Sequence, residues 1–397
     1  MPVSSPRDTG AAPARKLDLL CFSHLRWDFV YQRPQRVFYV EEPVFGGDEP
    51  RLDVRRGADG VTVVVPQLPH GEPEQAEALQ RRLLDGWMAD EGIGAHVAWF
   101  YTPMALGFAG HLRPAVTVYD CMDELSAFRF APPMLKEREA ELMRRADLVF
   151  TGGASLFEAR RGRHPSVHLF PSSIDAAHFG RARGDVAEPA DQAGIPHPRI
   201  GFFGVLDERF DAELVGELAA ARPDWHFVLV GPTAKVELAD LPQGPNLHYL
   251  GSKAYADLPA YAAGWDAAAL FFALNESTRY ISPTKTPEYL AAGRRTVSSP
   301  IHDVVRGWGG SGLVRIARTV DEWIDALTEA LADQDRHEWL RRVDEALARG
   351  SWDSTWAGMD ALIEDAALRA SRPPADADAD APWSRPSERM AAGTAGD

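Results

Sequence analysis

A chain of 397 residues with 45% hydrophobic content and 30 prolines is too long for one comfortable core and points to two globular domains. Its formal net charge of −16 argues against a nucleic-acid or anionic-membrane surface, though a local basic pocket for a phosphorylated ligand stays compatible with it. The two cysteines, Cys21 and Cys121, are too few for a disulfide framework or a cysteine-rich metal site, and fit a reducing, cytosolic setting.

Residues 1–15, rich in Ser, Pro and Ala, read as a disordered lead without a signal-peptide apolar core. From 16 to 182, apolar runs at 17–23, 37–40, 61–65, 97–100, 116–119, 148–151 and 167–170 alternate with helical patterns at 73–90, 133–145 and 154–161. A Pro/Gly/Asp-rich interval, 183–198, reads as a linker. The alternation restarts over 199–350, with strands at 200–203, 227–230, 247–250, 267–271, 296–298 and 313–316 and helices near 211–221, 255–263, 286–292, 320–332 and 337–348. A last helix within 351–370 carries Trp356, Met359, Leu362 and Ile363 on one stripe and must dock somewhere, with a return to the first domain open; 371–397 reads as a disordered tail. No run of about 18 apolar residues is present to span a bilayer, so the expected location is cytoplasmic, with peripheral contact at the inner face of the membrane left open.

Apolar strands without alternation, spaced by helices, indicate parallel sheets covered on both faces. The expected class is therefore α/β, two Rossmann-like doubly wound domains facing across a cleft, with ligands at the carboxyl ends of the strands.

The chemistry concentrates in Ser282-Pro283-Thr284-Lys285-Thr286-Pro287-Glu288-Tyr289-Leu290-Ala291-Ala292-Gly293. Ser or Thr before Pro marks a helix start and Gly293 its end, so the first turn would aim free N–H groups and a positive dipole end at a phosphate. Two registers are open: a helix from Pro283, with Pro287 at its fifth position, or one starting after Thr286. Lys285 and Glu288, three apart, share a face and can hold a charged group beside a pair of hydroxyls; the plain alternative is a surface ion pair. Only five lysines stand against 37 arginines, which makes Lys285 notable.

Two Rossmann-like halves with Ser-Pro-x-Lys-x-x-Glu-Tyr-x-Ala-Ala-Gly in the second resemble GT-B glycosyltransferases of the retaining family 4 type over roughly residues 17–369. The first half would then be the acceptor domain and the second the nucleotide-sugar donor domain. The resemblance implies that Glu288 binds the ribose hydroxyls while Ser282, Pro283, Thr284 and Lys285 lie against the diphosphate. A second glutamate, eight positions earlier in many members, is replaced here by Tyr280. A sharper resemblance, to bacterial exopolysaccharide and teichuronic-acid-type glycosyltransferases, rests on the blocks Phe22-Ser23-His24-Leu25-Arg26-Trp27-Asp28, Gln32-Arg33-Pro34-Gln35, Val40-Glu41-Glu42-Pro43 and Tyr119-Asp120-Cys121-Met122-Asp123-Glu124.

After the strand ending at Phe203, Gly204 would let a phosphate approach the backbone and Arg209 would take diphosphate charge, where the family keeps its basic contacts; the alternative is a solvated loop with Asp207 and Glu208. With Lys285, Arg209 would offset the diphosphate without a metal, so no metal site and no cofactor is expected, only a nucleotide-sugar co-substrate of the UDP type. Asp120, Asp123 and Glu124 are read as a loop at a strand end facing the crevice; the plain alternative is a helix-capping cluster, which Asp123 could satisfy with its side chain. Asp123 is the first candidate to orient the acceptor hydroxyl, then Asp120, then His24. Only thirteen residues, 24–36, separate the first two strands, short for a helical crossover.

The expected function is a retaining, metal-independent hexosyltransferase moving a sugar from a nucleotide-diphosphate donor to a hydroxyl of a glycan or lipid-linked acceptor. Its rivals are a catalytically degenerate nucleotide-sugar-binding subunit of a polysaccharide assembly system and, ranked lower, a sugar-nucleotide 2-epimerase. A dinucleotide dehydrogenase is disfavoured because Phe22-Ser23-His24 stands where a Gly-rich turn would follow the first strand.

Overall fold

The computed structural model describes residues 17–24, 37–46, 48–57, 60–71, 73–332 and 334–371. The expected lead, the tail beyond residue 371 and the short crossover, with most of the first motif block and all of the second, lie outside the described residues.

The first sheet is built from β1 (Asp18–Ser23), β2 (Val37–Glu41), β3 (Val44–Phe45), β4 (Arg51–Arg56), β5 (Val61–Leu68), β6 (His96–Phe100), β7 (Val116–Cys121), β8 (Leu148–Thr151) and β9 (Val167–Leu169). They run in the order β3-β5-β2-β1-β6-β7-β8-β9, with β4 paired to β5. The second sheet has β10 (Arg199–Phe203), β11 (His226–Val230), β12 (Leu247–Gly251), β13 (Ala267–Leu270), β14 (Thr296–Ser298) and β15 (Val314–Ile316) in the order β12-β11-β10-β13-β14-β15. Both sheets reverse direction of progression beside their first strand, β1 or β10, which is where such sheets open a crevice at their carboxyl ends.

Every residue of β2, β6, β10 and β13 is buried, and strands covered on both faces have no polar face to alternate with. The sheets are parallel as expected except at one place. β4 runs antiparallel to β5 from Arg51 opposite Gln67 to Arg56 opposite Thr62. It is an exposed edge strand, and Arg51, Asp53, Arg55 and Arg56 blunt that edge against pairing with another chain.

The helix Trp352–Ser371 leaves the second domain and packs on the first sheet, where Met359, Ile363 and Ala366 join a core with Trp99, Val118 and Phe150. Trp356 stacks on Trp99 with ring centroids 6.2 Å apart. The chain therefore crosses between the domains twice, and this fixes one face of the first sheet with the last element of the fold. Among the described residues no helix is long and apolar enough to cross a membrane.

Candidate functional site

The site grows from the carboxyl end of β10. Gly204 has φ +147°, and a Cβ built there would lie 2.1 Å from Lys285 Cε and 2.8 Å from its Nζ. The lysine side chain therefore lies directly over this backbone. Gly231, at the end of β11, approaches from the other side, since a Cβ on it would stand 1.9 Å from the Gly204 carbonyl oxygen. Both glycines are required by close approach and by a positive φ. In a structure of Gly204→Ala the Lys285 side chain should be displaced from this loop; a lysine left in place would contradict the close approach.

The helix Lys285–Ala291 starts between the two registers left open by the sequence. Thr284 is its N-cap residue but its side chain makes no capping hydrogen bond, so the expected Ser/Thr-Pro cap is corrected. Pro287 falls at the third helical position, where an N–H would have no intrahelical acceptor, so its missing donor costs nothing; the first i→i−4 bond runs from Glu288 N–H to Thr284 O at 3.3 Å. The far end closes in a Schellman arrangement. Gly293 at φ +72° donates to Leu290 O and Arg294 N–H donates to Tyr289 O, both at 2.9 Å. This is not a surface helix, because Thr286, Pro287, Tyr289, Leu290 and Ala291 are all buried. Tyr289 ties it to β10, accepting from Phe203 N–H at 2.9 Å and donating to Phe203 O at 3.3 Å.

On that anchored turn, burial pushes the Glu288 carboxyl up to about 7, opposed by the charge of Lys285. Burial likewise pulls the Lys285 amine down, opposed by Glu288 and assisted by Arg209. Each member of the pair offsets part of the cost that burial puts on the other's charge.

Arg209 is not in a solvated loop. Its guanidinium grips Asp207 with Nη2–Oδ2 at 2.6 Å and Nε–Oδ1 at 3.0 Å, and it lies 5.3 Å from the ring centroid of Phe128, a residue of the first domain. Glu208 pairs with Lys235 at 2.8 Å and accepts from the Arg129 N–H at 3.3 Å. The segment after β7 therefore reaches across the cleft onto the loop after β10.

Asp123 stands in that segment. Burial lifts its carboxyl to about 6, while Arg209 and Lys285 of the second domain pull it down. A carboxylate of one domain is thus brought into the field of two cations of the other. Asp120 differs from expectation: it lies within β7, 2% exposed and paired in register with Phe150, and its charge bears on Cys21 rather than standing in a loop. Glu124 turns back into the first domain to Arg160. His24 follows β1 directly; burial holds its imidazole below the usual value, and its Nδ1 has no hydrogen-bond partner among the described residues.

Ser282, Pro283 and Thr284 are partly buried, and Ser282 abuts Gly153 of the first domain, where an added Cβ would come within 2.9 Å of the serine Cβ. Beside them Asp303 caps the helix Ala154–Arg160 across the domain boundary, accepting from Ser155 N–H at 3.0 Å, and Arg306 pairs with Glu158. Tyr280 packs against the core of the first domain with Phe22, Tyr119 and Leu156. The sequence reading missed Lys235, Asp303 and Arg160. Lys235 shares the scarcity that singled out Lys285, whereas nothing local marks the other two. Among the described residues no group of three or more His, Cys, Asp or Glu side chains is placed to hold a metal ion.

No family model matches the chain. It is 25% identical over 199 residues to TuaH of Bacillus subtilis (strain 168), which carries the name of a teichuronic acid biosynthesis glycosyltransferase; the match covers 46% of this chain and half the length, 50%, of that relative. Among solved structures it superposes on sucrose-phosphate synthase from Thermosynechococcus elongatus with a TM-score of 0.66 at 13% identity, covering 90% of this chain and all of that one. An E. coli trehalose-6-phosphate structure bound with UDP-2-fluoro glucose gives a TM-score of 0.63 at 12% identity over 87% of this chain and 99% of that one. The fold is GT-B. A trehalose-6-phosphate synthase structure concerned with glycosyl transfer with retention agrees, at TM-score 0.60 and 12% identity over 87% of this chain and 99% of that one. At such identities the likeness is one of GT-B architecture alone. The resemblance drawn from the sequence, to GT-B proteins and to a teichuronic-acid-type relative, is borne out.

Proposed function

We propose that the protein is a glycosyltransferase that moves a sugar from a UDP-sugar to a hydroxyl of a glycan or lipid-linked acceptor of the cell envelope, with retention and without a metal. The observation that carries this reading is the stem of Lys285 lying over Gly204 at the carboxyl end of β10, with Arg209, Glu288 and Asp123 close enough for their charges to act on its amine. The TuaH match, the UDP-2-fluoro glucose held by one structural neighbour and the retention studied in another support it.

In this reading Lys285 and Arg209 take the charge that develops on the departing diphosphate, fixed in place before the reaction by Gly204 and Asp207. Glu288 accepts the two ribose hydroxyls, and Asp123 orients the acceptor hydroxyl on the face from which the diphosphate leaves. Closure of the two domains would exclude water from the reacting bond.

Glu288 provides the test. Its carboxyl, raised from 4.5 to about 7, is ionised only above that pH, so UDP affinity should fall as pH drops from 8 to 6. Its effect on folding has the opposite sign: the protonated form is favoured in the fold, and that contribution, complete below 4.5, is lost as pH rises through about 7. Calorimetric titration of UDP into Glu288→Gln should show affinity about tenfold to a hundredfold lower at pH 8, with the extra loss toward pH 6 gone. Identical affinities in variant and parent at both pH values would remove the ribose assignment.

One observation favours a second reading, a nucleotide-sugar-binding subunit without transfer. Tyr280, where many relatives carry a sugar-contacting glutamate, is committed to packing against the first domain. UDP binding without donor turnover over a panel of acceptors would select that reading.

A further inference from the structure

The chemistry described so far leaves one buried charge cluster unused. Arg160, the last residue of the helix Ala154–Arg160, is 4% exposed, and its Nη2 donates to Glu124 Oε2 at 2.5 Å and to Glu139 Oε1 at 2.7 Å. Tyr119 donates its hydroxyl proton to Glu139 at 2.9 Å, and Ser126 donates to the other oxygen of Glu124 at 2.7 Å. Taking an arginine and two glutamates out of water is costly, and such a cluster is a poor source of stability compared with apolar packing. Its best-attested use is to fix one register of the chain.

The register in question is that of residues 122–129. Asp123 and Glu124 are adjacent and point their charges in opposite senses, Glu124 back to Arg160 and Asp123 into the field of Arg209 and Lys285. The Cys121 thiol donates to the Asp123 carbonyl at 3.6 Å, and Gly152 lies under Met122, since a Cβ there would stand 3.0 Å from the Met122 carbonyl oxygen. Beyond Glu124 the segment continues as a short turn, with Ala127 N–H donating to Glu124 O at 2.9 Å, and ends with Phe128 on Arg209 and Arg129 N–H on Glu208. Among the described residues the glutamate is thus the one charged tie shown between this strut and the body of its own domain, and Arg160 is what holds it.

We propose that Arg160 is a positioning residue: through Glu124 it fixes the 122–129 segment and thereby sets Asp123 in the cleft against the donor-side cations. The same Nη2 also holds Glu139 on the helix Leu135–Arg145, so removing each carboxylate in turn separates the positioning of the 122–129 segment from the joining of helices. The kinetic part of this proposal rests on the transferase reading of Asp123, whereas its structural part does not.

Hydrogen exchange on the full chain tests the structural part in Arg160→Lys and, as a milder change that keeps shape, in Glu124→Gln, with Glu139→Gln as the control for the other carboxylate held by the same Nη2. The amides of Ala127, Phe128 and Arg129 should exchange at least about tenfold faster in the first two variants, with β8 amides and the Glu139→Gln variant unchanged in that segment. In transfer assays Arg160→Lys should lower kcat about tenfold with the donor KM within about twofold, and should add nothing to the loss already caused by Asp123→Asn, because residues acting as a unit are not additive. Full protection of 127–129 in both Arg160→Lys and Glu124→Gln overturns the proposal whatever the activity, as does a loss that multiplies with that of Asp123→Asn. Loosening of the segment while Asp123→Asn keeps full activity leaves the positioning intact and brings down the role given to Asp123 instead.

Discussion

Lys285→Ala is expected to lower sugar transfer by about 10² to 10³ in kcat, the scale seen when one preorganised charge stabiliser is removed from a dry site, while the fold persists. The amine lies over Gly204 and burial works against its charge, so the free protein bears a cost for holding it there. Truncation removes that cost along with the contact, and it leaves Glu288 without the cation that opposes its upward shift. Nucleotide binding should therefore weaken twice, once by loss of the cation and once because more Glu288 is protonated at neutral pH. Lys285→Arg should not restore activity, since a planar guanidinium does not fit the narrow space above a glycine backbone that a thin lysine stem occupies. Steady-state kinetics beside thermal melts check this: an unchanged kcat, or a loss that simply tracks a lower melting temperature, would contradict it.

The second large effect concerns the other wall of the cleft. Asp123→Asn should lower kcat about a hundredfold or more, in the range of a positioned acid–base group, with donor affinity little changed. The carboxyl is raised from 3.8 to about 6 chiefly by burial, so the parent should lose activity as pH falls through about 6 and the variant should not follow that profile. For stability the sign reverses. A carboxyl with a raised value favours the fold when protonated, and that contribution is lost as pH rises through about 6, so the asparagine variant should melt no lower than the parent at pH 8. A variant that is less active but also markedly less stable at pH 8 would instead make Asp123 a structural residue.

Much of this arrangement could be read from the chain because the strands that build it are buried on both faces. Continuous apolar runs such as Ile200-Gly201-Phe202-Phe203 leave no doubt about type, and the glycine that follows marks the crevice end. What could not be read depended on partners far away in sequence. β4 carries Arg51, Asp53, Arg55 and Arg56 and looks like a polar loop until β5 is set beside it. Asp120 reads as a loop residue because nothing local says that β7 continues for two more residues; the pairing of Asp120 with Phe150 and Cys121 with Thr151 extends it. The start of the Lys285–Ala291 helix is ambiguous in the sequence because Ser282-Pro283 and Thr286-Pro287 each offer a cap and a first helical residue, and the helix begins between them. Arg160 gave no signal at all. Its burial follows from Glu124 and Glu139, residues 36 and 21 positions away.

Whether the Gly204–Lys285–Glu288 corner binds a UDP-sugar can be measured by ligand-induced stabilisation. The full chain should be melted with UDP-, GDP- and ADP-sugars in turn, alongside Lys285→Ala. At a hundred times its dissociation constant a bound donor adds about 2.7 kcal/mol, enough to move the midpoint by several degrees. A UDP-sugar should raise the melting temperature of the parent and fail to do so in Lys285→Ala; no rise with any nucleotide sugar, or an equal rise in the variant, would rule out this donor site.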